Sequence, residues 1–194
     1  SIRRQLAEQR PDAFKPDLAG SLNNLSAFLA ALGRREEALQ AIVDAVELYR
    51  QLAEQRPDAF KPDRAMSLNN LANGLSDLGR REEALEAIVE AVGIYRQLAE
   101  QRPDAFTVDL ATSLAAQGSV LQEAGQTAEA AAAFAEGLRL ILPYARRYGP
   151  ALAGLSSALY QGWLEAEPAP DEALLEETLD FLRPFLPPSD GAEG

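Results

Sequence analysis

Apolar residues recur along this chain at steps of three and four, and the whole pattern then recurs at a step of 46. The first stripe is Leu18, Leu22, Leu25, Leu29 and Leu32, one face of an α-helix. Gly33 follows it and predicts a stop, because glycine accepts the left-handed conformation that the residue after a helix often needs. Past the polar run Arg34, Arg35, Glu36 and Glu37 the stripe resumes as Ala38, Leu39, Ile42, Ala45, Val46, Tyr49 and Leu52. Small residues at 38 and 45 let two such helices approach closely. The beat is kept by Gly33, Gly79 and Gly125, by Ala38, Ala84 and Ala130, and by Ser21, Ser67 and Ser113. A fixed period of this length predicts stacked units, since one helix pair cannot bury its own apolar face.

The predicted elements follow from that beat. Pro16 and Asp17 begin the first complete helix, a proline at the first position losing only an orphan N–H and an aspartate suiting the helix dipole. The second helix runs to about Gln55, because Pro57 turns Arg56 away from the α region. The stretch RPDAFKPD then reads as a loop punctuated by Pro and Asp, with Phe60 tucked back into the stack. Residues 1–14 copy the tail of the later units and read as the end of a truncated preceding repeat, cut from a longer array. Ile2 and Leu6 are expected to fray there or to pack against a neighbouring molecule. Repeats are assigned to 16–61, 62–107 and 108–149, and an atypical capping unit to 150–186. That last unit holds one helix from Pro150 to near Pro168 and another from Asp171 to about Leu182. Residues 187–194 read as a disordered exit. The predicted fold is all-α: a right-handed superhelix of antiparallel helix pairs, closed by a C-terminal capping helix.

Composition narrows the function. Cys and His are both absent, which removes disulfides, thiol nucleophiles, imidazole acid/base chemistry and the usual zinc ligand sets. No phosphate loop, nucleophile motif or metal motif is present, so neither an enzyme nor a cofactor is expected. A net charge of −12 opposes phosphate backbones, so nucleic acid is not an expected partner. No apolar run is long enough to span a membrane, and a cytoplasmic chain is expected. The pairs Glu36 and Glu37, and Asp171 and Glu172, read as helix-start acids serving the dipole. Tyr49 and Tyr95 read as core, and Trp163 as packing against the capping helix.

These residues resemble the tetratricopeptide repeat, in its long-period, kinesin-light-chain-like form. Leu25 and Ser26, Leu71 and Ala72, and Gln117 and Gly118 take the place of the family's Leu-Gly in the first helix of each pair. Ala38, Ala84 and Ala130 match the first alanine of the second helix. Ile42, Ile88 and Phe134 match the bulky position, and Ala45, Ala91 and Gly137 the second small one. The family's tryptophan and terminal proline are missing, and its period is 34 rather than 46. The resemblance implies an array that binds peptides or proteins, of a kind that in bacteria is often attached to signalling domains.

It also implies where a ligand sits: on the face lined by the first helix of each pair. Carried over position by position, that face holds Asn23 and Asn24, then Asn69, Asn70, Asn73 and Asp77, then Ser119 and Glu123. An asparagine at 24 and 70 resembles the family's peptide-clamping amide, which donates to and accepts from an extended backbone. The clamp's basic residues are missing, and Asp77 and Glu123 instead favour a ligand bearing Lys or Arg. Duplicated asparagines on a helix can equally be solvated bystanders. Against that, the differences between the first two units crowd into 18–31 and 64–77, whereas Arg34, Arg35, Glu36 and Glu37 recur unchanged. The exchange of Phe28 for Gly74 reads as a packing adjustment. The rival readings are a spacer or self-assembling array, and a regulatory sensor domain of a larger NTPase whose superhelical pitch changes on ligand binding; the truncated N-terminal helix also offers a route to self-association.

Overall fold

The structure, a computed structural model, describes residues 11–166 and 171–185. The truncated repeat tail over 1–10, the helix end near Pro168 and the exit segment lie outside these residues. The described chain is helical: α1 Pro11–Ala31, α2 Arg35–Gln55, α3 Pro57–Asp77, α4 Arg81–Gln101, α5 Pro103–Glu123, α6 Thr127–Tyr148, α7 Ala153–Glu165 and α8 Glu172–Leu182. A short 3-10 turn, Gly149–Leu152, leads into α7, and another, Arg183–Phe185, follows α8. Backbone packing divides the chain into two compact units, Ser1–Phe106 and Thr107–Gly194.

In the first unit each helix packs on the next along its length, and α1 also touches α3. Tight connections make the neighbours antiparallel. Between α1 and α2 the stop is a Schellman turn: Arg34 N–H donates to Leu29 C=O at 2.9 Å and Gly33 N–H to Ala30 C=O at 2.9 Å, with Gly33 at φ 74°. Gly79 and Gly125 close α3 and α5 with the same pair of bonds.

Between α2 and α3 there is one residue. Arg56 (φ −138°, ψ 76°) ends one helix and opens the next, its N–H bonded to Leu52 C=O at 2.9 Å. Its guanidinium lies 4.9 Å from the centre of the Phe60 ring, and Arg102 repeats this over Phe106 at 4.8 Å. The loop expected over RPDAFKPD is therefore corrected: 57–63 form the first turns of α3, Pro57 is the helix start, and Pro62 lies inside. Likewise 11–14, read as the tail of a preceding repeat, belong to α1, with Pro16 inside it. Early helix formation brings Phe60 onto the buried cluster of Ala19, Tyr49 and Leu52.

Most of the predicted stripes are buried, including Ile42, Ala45, Tyr49, Leu52, Ile88 and Tyr95. Leu25 and Leu32 are exceptions, 45% and 55% exposed, on a face of α1 that α2 does not cover. In the second unit α6 packs on α7 and α8. Asp171 caps α8, accepting Leu174 N–H at 3.0 Å and the Arg139 guanidinium at 2.7 Å. Trp163 is buried, 6.5 Å from Tyr160 ring to ring.

Candidate functional site

The asparagines of α1 and α3 meet across the two helices. Asn70 Nδ2 donates to Asn23 Oδ1 at 3.1 Å, with Asn23 buried and Asn70 half-buried. This bond holds the Asn70 amide in one orientation. Around it lies a cleft of about 140 Å³, lined on the α1–α2 side by Ser26, Ala27, Ala30, Ala38, Leu39 and Ile42 and on α3 by Asn70, Asn73, Gly74 and Asp77. Its floor is apolar and buried, with Ile42 1% exposed; Asn73 and Asp77 stand exposed at its mouth.

The structure thus brings Asn23, Asn70, Asn73 and Asp77 together. Asn24 is exposed and Asn69 half-buried, and neither lines the cleft. Ser119 and Glu123 are both exposed on α5, where the Ser119 hydroxyl donates back to Ala115 C=O at 3.1 Å. Sequence reasoning missed Ser26, Ala30, Gly74 and the second-helix residues that form the floor. The signal was the Phe28-to-Gly74 exchange. A carbon added at Gly74 would meet no atom within 4 Å, so the exchange opens space instead of relieving a clash.

The groups of the first unit with shifted pKa values are not among the residues that line the cleft. Glu47 is drawn down to about 2, first by its hydrogen bond from Arg50 and then by Gln51. Burial pushes the Asp63 carboxyl up, and burial followed by the Asp63 charge does the same to the Tyr49 phenol. Among the described residues no three His, Cys, Asp or Glu side chains gather so as to hold a metal ion. Nor is any described helix long and apolar enough to cross a membrane.

The family profile "Tetratricopeptide repeat" matches residues 17–97, from the second turn of α1 almost to the end of α4. Over residues 17–97 the chain is thus similar to tetratricopeptide repeats. Among solved structures, the chain is similar to the nearly identical TPR-like repeats of a Podosopora anserina kinesin light chain, at 18% identity and a TM-score of 0.47, covering 95% of each chain. A point variant of those repeats matches at 18% identity and a TM-score of 0.48, over 95% of this chain and 94% of that one. No curated protein matches the sequence. Tetratricopeptide repeats generally mediate protein–protein interaction and are typically not enzymes.

Proposed function

We propose that the chain is a docking module that holds an extended segment of a partner protein against α1 and α3. The observation that carries this is the grouping of Asn70, Asn73 and Asp77 beside a buried asparagine that fixes one of them. A carboxamide can donate to and accept from an extended backbone, and Asp77 adds a charge that favours Lys or Arg in the ligand. Asn24 and Asn69 are lesser contributors there, and Ser119 and Glu123 are proposed as polar contacts of the second unit by itself. Each neutral amide bond contributes about 0.5–1.5 kcal/mol net. Three give at most about 4.5 kcal/mol, close to millimolar binding, so apolar contacts must supply the rest. The proposed setting is a larger bacterial regulatory protein, as the long-period resemblance implies, and a cytoplasmic one, which a chain without cysteine suits.

The test is titration of a basic peptide library against the chain and its Asn70→Ala, Asn73→Ala double variant. Weakened binding of the selected peptides is expected; unchanged affinity for every peptide would remove the assignment. A second reading, a self-assembling spacer, draws on the exposed Leu25, Phe28 and Leu32 of α1. Sedimentation that shifts with concentration, with no peptide uptake, would favour it.

A further inference from the structure

A glycine in the middle of a helix needs a reason, because it costs about 0.5–1 kcal/mol relative to alanine. In the second unit the reason is contact: a carbon at Gly118 or Gly162 would lie about 2.6 and 2.5 Å from the Phe134 ring, and one at Gly137 2.6 Å from Leu159. Gly74 has no such neighbour. Gly93 and Gly154 are also unopposed, so an unopposed glycine alone marks nothing. Gly74 in addition lines the cleft. At the in-phase positions stand Phe28, 64% exposed, and Val120, 2% exposed, whereas a carbon at 74 would meet open space.

We propose that Gly74 opens a socket for one apolar side chain of the docked segment, of leucine to phenylalanine size, with a Lys or Arg beside it in the ligand sequence. This rests on the docking surface proposed above and names what that surface selects. A volume near 150 Å³ is enough to take a benzene-sized group, and this cleft holds about 140 Å³. Its buried floor of Ala38, Leu39 and Ile42 offers nothing to a charged tip, and burying an unpaired ammonium there is strongly unfavourable. The apolar group therefore goes in. The charge stays at the mouth, where Asp77 is the one charged side chain of the lining and the chain as a whole carries −12. Asn70 and Asn73, on the same side of the opening, meet the backbone that carries both.

The probe is a synthetic array of ten-residue peptides in a Gly/Ser background, each with one Leu, Ile, Met or Phe flanked by Lys or Arg. Matched controls carry Ala in place of the apolar residue or Glu in place of the basic one. The chain is expected to select apolar–basic members over both controls. Gly74→Leu fills the socket from within and is expected to weaken those peptides about tenfold or more (about 1.4 kcal/mol) while melting no lower than the parent. Asp77→Asn removes the preference for Lys and Arg and leaves the apolar preference intact. Should Gly74→Leu fold poorly, Gly74→Val makes the same comparison with the side chain that α5 already carries at Val120. Binding that survives Gly74→Leu and Gly74→Val but is lost in the Asn70→Ala, Asn73→Ala double variant overturns the socket and leaves the docking surface standing. If no array member binds, or none responds to any of these variants, both fall.

Discussion

Phe134 shows how one side chain sets the identity of residues far from it in sequence. Its counterparts Ile42 and Ile88 are smaller, and the position facing them is Ser26 or Ala72. Where the ring enters, that position is Gly118, and a Cβ at either Gly118 or Gly162 of α7 would meet the ring's Cζ and Cε1. Gly118→Ala is expected to destabilise the chain by about 1–3 kcal/mol in urea titration despite alanine's better helix propensity. Adding Phe134→Ile should recover part of that loss, because the two changes share one space. Asp63 makes a contrasting case. Burial raises its pKa above the usual aspartate range, so its contribution is most favourable when protonated, below the unfolded pKa, and is lost as pH rises through the folded value. Asp63→Asn should therefore raise the melting temperature at pH 7, with the gain shrinking below the ordinary aspartate pKa. The repeated Gly33 and Gly79 were legible in the sequence because a left-handed turn has few solutions. Gly74 was not, because sequence alone cannot tell a glycine that relieves a clash from one that leaves a hole.

Helix ends tell a similar story. Both Pro57 and Pro62 carry a plausible start signal, each followed by an aspartate, and nothing local chooses between them. Packing decides for Pro57: only a helix that has already begun can set Phe60 against Ala19, Tyr49 and Leu52 under the Arg56 guanidinium. Pro62 is then left inside α3 without an N–H to donate, a loss that Val108 does not incur at the same place in α5. Pro62→Val is expected to stabilise the chain by about 1–2 kcal/mol, the helical gain being offset in part by a more flexible unfolded state. A raised urea midpoint would bear this out, and a lowered one would mean that the proline is needed at the junction. Asp171 was legible as an acid at the start of α8, since it follows a proline-rich break and precedes an apolar stripe, but its capping bond to Leu174 N–H was not. Its carboxyl is held below the usual range by the Leu174 N–H and then by Arg139. Asp171→Ala should lower the melting temperature above about pH 4, and the difference should fade as pH falls through the depressed folded pKa.

At the scale of the whole molecule, stability in a stacked array is a sum over neighbours. Within the first unit α3 is flanked by α2 and α4, whereas α1 packs chiefly on α2 and leaves Leu25, Phe28 and Leu32 exposed. Amide hydrogen exchange should accordingly be slower in the middle of α3 than at the equivalent positions of α1; equal protection would show that the α1 face is covered in solution. The all-α pairing was readable because three in-phase copies of one pattern agree. The cleft was not, because it is made by residues from neighbouring hairpins and appears only once they are set side by side.

The single residue between α2 and α3 has a consequence for how such a chain can change. With no slack at Arg56, an amino acid inserted early in α3 would turn the rest of that helix by about 100° about its axis and carry its buried side into water. Arg102 imposes the same constraint before α5. Growth by single insertions is thereby closed off at these joints, and variation is left with swaps in place or the copying of an entire hairpin. The helix starts at Pro11, Pro57 and Pro103, at one constant interval, are the trace of that restriction.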